Sequence, residues 1–476
     1  MTTPEPSVPL GPVHAFADDA LGDGDATEVA ARIRSGEISG VEACEAALRR
    51  AEAVQPVLAP VAYVDPAAAL AAARRHVAGP FGGVPTYVKD NLDVAGMPTN
   101  QGTDAFVARP ARRNSPFVAQ LEALGLVVLG KSRMPELGLN ASTEYARAAP
   151  VRNPWQPSYS AGASSGGAAA LVAAGVVPLA HGNDGGGSIR IPAAACGLVG
   201  LKPSRGRLAP DPIDTRLPVP IVAEGVLTRS VRDTAHFLAG AEETWRNPAL
   251  PPVRAVEGPG RTRLRVGVVL DSVNDVPTDP ETRAAVLATA ELLADLGHHV
   301  EDTALPVSRR FVDDFSLYWG LLGLSACSTG RYAFGRDFDV DRTDNLTRGL
   351  ARMARARLAR VPGAVYRLRR TSRDYRRVFS RLDVLLSPVT CFTTPPIGCL
   401  SPTLPFEDLF PRLQAYAGFT PLHNAAGAPA VSLPLGRTEQ GLPIGCQLCA
   451  DVGDDRTLLE VAYELEQARP WPRAGG

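Results

Sequence analysis

Short apolar segments typical of buried strands alternate with helical segments along almost the whole chain of 476 residues. Strands that alternate with helices indicate α/β layering, because each helix covers one face of the sheet formed by the strands. The predicted strands span 57–64, 84–88, 126–129, 176–180, 264–270, 384–386, 430–433 and 442–450. The predicted helices span 26–50 in two pieces, 116–124, 166–174, 280–296 and 457–467. We therefore predict an α/β fold, and we find no internal repeat.

Composition and charge exclude several classes of protein. Hydrophobic residues make up 45% of the chain and charged residues 21%, as in ordinary globular proteins, and the net charge of −1 gives no reason to expect nucleic acid as a partner. Residues 1–25 contain no apolar stretch typical of a signal peptide. The longest nearly apolar run, 168–180, is shorter than the ~18 residues that a membrane span requires. We expect a cytoplasmic protein that binds neither nucleic acid nor a membrane.

Cysteine usage points to a reducing compartment and to no metal. The chain has seven cysteines without a disulfide-rich spacing. Cys446 and Cys449 form a C-x-x-C pair, but they lie in an apolar, strand-like run, and no second Cys or His pair stands nearby to complete a zinc site. We predict no metal and no other cofactor.

The chain contains only three lysines, Lys89, Lys131 and Lys202, against 46 arginines. A side chain that must lose a proton near neutral pH cannot be arginine, whose guanidinium stays protonated, whereas burial lowers the pKa of lysine by several units. Lys89 follows an apolar strand, which suits a desolvated amine that acts as a base. The alternative is a lysine at the edge of the core, paired with Asp90 or Asp93.

Lys131 belongs to a literal match to the phosphate-binding pattern G-x-x-x-x-G-K-[ST], G-L-V-V-L-G-K-S at 125–132. A phosphate-binding loop needs free backbone amides and a helix after the lysine. Here the four central residues are predicted to form a buried strand, and Pro135 interrupts any helix that follows. We interpret this match as a coincidence of sequence.

Two clusters of small residues place serines 24 positions apart: G-A-S-S-G-G at 162–167 and G-G-G-S-I-R at 185–190. Each cluster alone is compatible with a simple tight turn. Together, and joined by a helix and a strand, they bring Ser164 and Ser188 to one edge of a sheet. Glycines allow backbone N–H groups to face a bound group without interference from side chains, which an oxyanion hole beside a nucleophilic serine requires.

A serine–histidine–aspartate arrangement competes poorly with this pattern. No G-x-S-x-G turn has a suitable partner among the seven histidines. His181 lies close to Ser188 in sequence, yet it precedes the glycine cluster, where a packed residue at a strand end is the simpler interpretation. The role of His181 as a catalytic base stays open as a minor alternative.

These motifs occur together in one known family. The run from Gly162 to Ser204 resembles the signature of the amidase signature family, and G-V-P-T-Y-V-K-D-N at 83–91 resembles its lysine segment. R-N-P-W at 152–155 and G-A-P-A-V-S-L-P-L-G at 427–436 resemble flanking stretches of the same family. The likeness extends from about residue 26 to 471, and several separated motifs in the same order make it specific.

The resemblance implies a role for each matched residue. Lys89 corresponds to the base, Ser164 to the bridging serine and Ser188 to the nucleophile, with a cis peptide bond before Ser164. The oxyanion donors of the family correspond to the backbone amides of Gly185, Gly186, Gly187 and Ser188. The sequence H-G-N-D at 181–184 departs from the commoner L-G-T-D and is similar to members that act on cyclic amides of synthetic oligomers.

The resemblance also implies a fold and an activity. The fold is a single large mixed β-sheet covered on both sides by helices. Residues 1–25 form an N-terminal extension and 26–471 the catalytic domain, with the triad in about 79–235 and a helical, substrate-side region in about 305–381. We expect loops around 133–150, 315–345 and 390–425 to line the substrate pocket.

The implied reaction is hydrolysis of a linear or cyclic carboxamide of small size, through an acyl-enzyme. The alternative within the family is the amidase subunit of a tRNA-dependent amidotransferase, which releases ammonia from glutamine. A protein that only binds amides is a third class, and a homodimer is left open. The segment 342–381 carries 13 arginines, which we interpret as a solvated helix pair rather than a nucleic-acid surface.

Overall fold

The computed structural model describes residues 11–75, 78–305 and 307–475. The first ten residues of the predicted N-terminal extension lie outside the described part of the chain. Residues 11–25 run along the catalytic domain, where the amide of Ala15 donates a hydrogen bond to the carbonyl of Ala174 at 2.8 Å. Arg50 forms an ion pair with Asp19 of this segment at 2.6 Å. The division into an extension and a domain stays a prediction.

The strands are β1 Val61–Val64, β2 Pro85–Lys89, β3 Val127–Ser132, β4 Leu179–Asp184, β5 Val199–Lys202, β6 Ala223–Thr228, β7 Arg265–Val268, β8 His299–Asp302, β9 Val384–Pro388, β10 Ala430–Arg437 and β11 Pro443–Cys449. The α-helices are α1 Ala26–Ser35, α2 Gly40–Leu58, α3 Pro66–Ala73, α4 Pro116–Ala123, α5 Gly166–Ala173, α6 Arg190–Cys196, α7 Pro212–Thr215, α8 Val231–Thr244, α9 Pro280–Asp295, α10 Arg310–Ala333, α11 Asn345–Arg355, α12 Val361–Arg376, α13 Phe406–Tyr416, α14 Pro421–Ala426 and α15 Asp455–Ala468.

Eight strands form one mixed sheet in the order β4-β6-β5-β10-β11-β9-β7-β8. The neighbours from β4 to β9 pair antiparallel, whereas β7 pairs parallel to both β9 and β8. Most of these strands are buried on both faces. The large mixed sheet flanked by helices confirms the predicted fold class.

Helices cover both faces of the sheet. Two successive residues of β11, which point to opposite faces, contact different helices. A Cβ atom on Gly445 would lie 2.4 Å from the Cβ of Ala194, so α6 packs directly on this glycine. The next residue, Cys446, faces the opposite side and contacts Thr289 of α9 at 3.3 Å. Because successive side chains of a strand point to opposite faces, the two helices sandwich the strand.

The remaining three strands form a small sheet in the order β1-β3-β2, which lies beside β4. Side chains join β2 to β4: the Thr86 hydroxyl donates to the carbonyl of Leu179 at 3.1 Å, and the amide of Lys89 donates to Nδ1 of His181 at 3.0 Å. Hydrogen bonds through side chains thus hold β2, whose last residue is Lys89, against the first half of β4.

Helix α5 consists almost entirely of small residues because it is buried on every side. A Cβ atom on Gly167 would lie 2.5 Å from the backbone nitrogen of Arg133, so a larger residue would displace the chain that follows β3. This close packing fixes the N-terminus of α5 near the sheet edge. Ser164 and Ser165 immediately precede the helix and are placed there with it.

Two predicted element boundaries are wrong. Residues 57 and 58 continue α2 instead of starting a strand, because the chain turns at Ala59 with a φ of 49°, and β1 begins at Val61. The Gln55 side chain holds this turn by accepting from and donating to the backbone of Val61. The strand predicted at 176–180 begins at Leu179 and continues through Asp184.

Strands β5, β6 and β8 were not predicted. Strands β5 and β8 have four residues each and β6 has six, and β8 is largely exposed and carries His, Glu and Asp, so it lacks the apolar pattern that reveals a strand. Helices α10, α11 and α12 lie within the predicted helical region of 305–381. Across the described ranges, no helix has both the length and the apolar character needed to cross a membrane. A cytoplasmic location stays a prediction.

Candidate active site

A cavity of about 1370 Å³, here called the wide cavity, opens at the edge where β2 and β4 end. Lys89 reaches it from the end of β2, and Asn183 from the end of β4. Ser164, Gly185 and Ser188 complete this part of the lining from the turns before α5 and α6. The structure therefore brings the three predicted catalytic side chains to one cavity.

Lys89 has no exposed surface. Its Nζ lies 2.6 Å from Ser164 Oγ and 2.6 Å from Asn183 Oδ1. Burial lowers the pKa of Lys89 to about 7, although the carboxylates of Glu224 and Asp184 act in the opposite direction. A substantial fraction of the amine is therefore uncharged near neutral pH, as a base requires.

The alternative ion pairs of Lys89 are not formed. Asp90 instead pairs with Lys131, whose Nζ lies 3.3 Å from Oδ1 of Asp90. Lys131 is the last-but-one residue of β3, so the apparent phosphate-binding pattern is a buried strand, as predicted. The third lysine, Lys202, is also buried and donates to the carbonyl of Pro203 at 2.8 Å.

The two serines approach the cavity from adjacent turns. The peptide bond between Ala163 and Ser164 is cis, as the family resemblance implies. The amide of Ser165 donates to the carbonyl of Ser188 at 3.3 Å, which joins the two turns. Ser164 is 3% exposed and Ser188 8% exposed, so a bound substrate would cover both almost completely.

A buried ion pair shapes the turn before Ser188. The Arg190 guanidinium donates to both carboxylate oxygens of Asp184 at 2.9 Å, and neither side chain is exposed. Burial raises the pKa of Asp184, but Arg190 outweighs it and holds this pKa well below its ordinary value. Asn424 also donates to Asp184 at 2.9 Å, so the carboxylate is fully satisfied.

Asp184 also fixes the backbone of the glycine cluster, where it pairs with the amide of one of the predicted oxyanion donors. The amide of Gly187 donates to Asp184 Oδ1 at 2.7 Å, so it is already paired and is not free for a substrate. Among the described residues, the amides of Gly185, Gly186 and Ser188 donate no hydrogen bond to a backbone carbonyl. These three amides remain as candidate donors beside Ser188.

His181 supports the site from inside the sheet. Its Nδ1 accepts from the amide of Lys89, so its proton is on Nε2, which lies 2.7 Å from Glu224 Oε2. Burial lowers the pKa of His181 well below its ordinary value and raises that of Glu224 to about 8. Because both nitrogens of His181 are engaged away from Ser188, the alternative of a histidine base receives no support.

Cys446 and Cys449 lie outside the site, and no described residue of the arginine-rich segment 342–381 lines the wide cavity. Cys446 faces Thr289 on one side of the sheet, whereas Cys449 faces His423 on the other, so the two thiols do not converge. Burial raises the pKa of Cys446 to about 11 and that of Cys449 to about 12, which leaves both protonated.

Sequence reasoning missed several supporting residues. Asn183, which accepts from Lys89, and the Asp184–Arg190 pair stand within the motif that we quoted, but their partners are not visible from spacing alone. Asn424 lies 240 positions from Asp184 in the chain and is brought to it only by folding. The departure from the common L-G-T-D was the available signal, since it includes both His181 and Asn183.

A buried lysine in contact with a serine, both lining a large cavity at the edge of an α/β fold, indicates an enzyme active site. The family model described as Amidase matches residues 42–459. The "Putative amidase AmiC" of Mycobacterium leprae is 52% identical over 97% of this chain and 98% of its own length.

Two solved structures are similar throughout. The structure of 6-aminohexanoate cyclic dimer hydrolase complexed with substrate has a TM-score of 0.87 and 34% identity, and the match covers 96% of this chain and 99% of that one. A bacterial aryl acylamidase of the amidase signature family has a TM-score of 0.83 and 25% identity, with 94% of this chain and 96% of that one covered. The chain belongs to the amidase signature family and is an amidase.

Proposed function

We propose that this amidase hydrolyses a small carboxamide through an acyl-enzyme on Ser188, with Ser164 and Lys89 as a proton relay. In the first step the Ser188 oxygen attacks the amide carbonyl carbon. The Ser188 proton moves to Ser164, whose own proton moves to the neutral amine of Lys89. The free amides of Gly185, Gly186 and Ser188 donate to the oxyanion that forms on the carbonyl oxygen.

The C–N bond breaks when the tetrahedral intermediate collapses. The proton held by Lys89 returns through Ser164 to the leaving nitrogen, so that a neutral amine or ammonia departs and an ester remains on Ser188. Water then attacks this ester, and the same relay takes a proton from the water and returns one to the Ser188 oxygen. The products are a carboxylic acid, which ionises, and an amine.

The observation that carries this proposal is the 2.6 Å contact between the buried Nζ of Lys89 and Ser164 Oγ in a cavity that Ser188 also lines. A buried amine with a pKa of about 7 is able to accept a proton at neutral pH. A surface lysine would be charged and could not do so.

The experiment is labelling with a fluorophosphonate, which reacts with activated serines. We expect mass spectrometry to find the label on Ser188, and Ser188→Ala to abolish both labelling and amide hydrolysis. Ser380→Ala, which changes an exposed serine of the surface, is the matched control and should label and turn over like the wild type. Full turnover by Ser188→Ala would disprove the assignment of the nucleophile.

A further inference from the structure

Ser188 lies at the junction of two cavities of different character. Besides the wide cavity, it lines a smaller one of about 110 Å³, here called the apolar pocket. Residues of α10 and α13 form most of its apolar wall, including Phe311, Phe315, Phe410 and Leu413. Parts of the predicted segments 133–150, 315–345 and 390–425 line this cavity, several of them as helices, and their role in binding substrate stays a prediction.

Trp319 of α10 separates the two cavities. It lines both of them, and its indole N–H donates to the carbonyl of Leu139 at 3.1 Å, which holds the ring in place. The ring lies against the turn 185–188, here called the oxyanion turn, since a Cβ atom on Gly186 would be 3.5 Å from the ring. Phe315 stacks against Trp319, with the two ring centroids 5.9 Å apart.

No charged side chain of the described chain lines the apolar pocket. Three of its polar side chains are hydrogen-bonded among themselves: the Gln414 amide donates to the Ser316 hydroxyl at 2.7 Å, and Asn274 donates to the backbone carbonyl of Gln414 at 2.6 Å. A charged group placed in this pocket would lose its hydration without gaining a counter-ion, which is costly. The lining therefore suits an uncharged, apolar group.

The positions of the relay residues decide which part of an amide enters which cavity. Ser164 and Lys89 line the wide cavity and are absent from the lining of the apolar pocket. The leaving nitrogen must lie beside Ser164 to receive its proton, so the amine part extends into the wide cavity. The acyl carbon is attached to Ser188, and the remainder of the acyl group then points to the other side of Trp319.

We propose that the apolar pocket is the acyl site, that Trp319 separates it from the wide cavity, and that the preferred substrates are amides of uncharged alkyl or aryl carboxylic acids. This inference rests on the proposed function, because the orientation follows from the proton relay. It also indicates that glutamine is a poor substrate, since its acyl part carries an ammonium and a carboxylate group.

The test compares two matched substitutions. Ala417→Leu narrows the apolar pocket, whereas Ala326→Leu adds the same atoms to the wide cavity; both alanines are half-buried. The substrates are p-nitroanilides with acyl chains from acetyl to decanoyl. In the wild type we expect kcat/KM to rise with chain length until the pocket is full. Ala417→Leu should lower kcat/KM about 10-fold or more for the longest chains and change that of the acetyl substrate less than about 3-fold.

Ala326→Leu should leave the acyl-length profile unchanged, and Trp319→Ala should flatten it because the two cavities merge. Retained melting temperatures show that the variants fold. The inference is overturned if Ala326→Leu rather than Ala417→Leu shortens the accepted acyl chain, or if glutamine is cleaved faster than hexanoyl p-nitroanilide. Failure of the wild type to cleave any amide, together with absent labelling of Ser188, would instead overturn the proposed function.

Discussion

Lys89 Nζ and Ser164 Oγ lie 2.6 Å apart although they are 75 positions apart in the chain. The lysine is fully buried at the end of β2, and the serine precedes the small-residue helix α5. Neither β2 nor α5 alone brings the lysine amine to the serine hydroxyl. The contact forms because side chains of Thr86 and His181 hold β2 against β4, beside which α5 packs.

Hydrolysis should depend on pH with an inflection near 7. Burial lowers the pKa of Lys89 to about 7, so below this pH the amine is protonated and cannot accept the serine proton. We expect kcat/KM to rise as pH increases through 7 and then to level. The measurement is kcat/KM for an anilide from pH 5 to 9. A flat profile between pH 6 and 9, with the chemical step rate-limiting, would contradict the role of Lys89.

Replacing Lys89 with Met should abolish activity but raise thermal stability at pH 7.5. The folded-state pKa of Lys89 lies below that of the unfolded chain, so between pH 7 and about 10.4 the unfolded state binds the proton more tightly, and the stability of the wild type rises with pH. We expect the variant to melt about 2–4 °C higher at pH 7.5, and this difference to shrink as the pH approaches 10.

Lys202→Met is the matched control for that experiment. Lys202 is equally buried and burial also lowers its pKa to about 7, but it does not line the wide cavity. We expect Lys202→Met to show a similar change in melting temperature and to retain amide hydrolysis. Loss of activity in both variants would mean that the effect of Lys89→Met is structural.

Substituting Ser164 with Ala should interrupt the relay without unfolding the protein. The change removes one hydroxyl that contacts Lys89, and it leaves Ser188 and the free amides in place. We expect the rate of acylation, measured in single-turnover assays, to fall about 10²–10⁴-fold. The melting temperature should stay within a few degrees of the wild type, and an unchanged acylation rate would rule out the bridging role.

Gly187→Ala should destroy the oxyanion turn, whereas Gly185→Ala should leave the fold intact. Gly187 has a φ of +129°, and a Cβ atom there would lie 2.4 Å from the Thr420 hydroxyl oxygen. A Cβ atom on Gly185 would find its nearest neighbour at 3.4 Å. We therefore expect Gly187→Ala to lose fluorophosphonate labelling and to melt earlier, while Gly185→Ala melts like the wild type. Equal melting temperatures for the two variants would contradict the interpretation that the turn requires glycine at 187 but not at 185.

Much of the architecture was predictable because apolar periodicity reports burial. Strands β2, β3, β7, β9, β10 and β11 coincide in position with predicted apolar runs, and α9 and α15 with predicted helices. Polar β8 escaped prediction because an exposed edge strand needs no apolar pattern. The boundary near Ala59 was missed although Pro60 directly follows it, because the apolar run 57–64 conceals the point where α2 ends and β1 begins.

The sequence identified the main residues of the candidate site, but it did not identify the residues that hydrogen-bond to them and hold them in place. Lys89, Ser164 and Ser188 stood out by the scarcity of lysine, by the paired clusters of small residues and by the family resemblance. The engagement of the Gly187 amide by Asp184 was invisible, because a donor is free or paired only relative to atoms that folding brings near. The same applies to Asn183 and Asn424, whose partners lie far away in the chain.

The amino-acid sequence by itself determined the chemical groups: one lysine after a buried strand, two serines among glycines, and helices and strands able to form a layered sheet. Only the tertiary structure decided the protonation of the lysine, the choice of free amides and the separation of two cavities by Trp319. The physical reason is that desolvation, hydrogen-bond pairing and cavity shape depend on distances between residues that are remote in the chain.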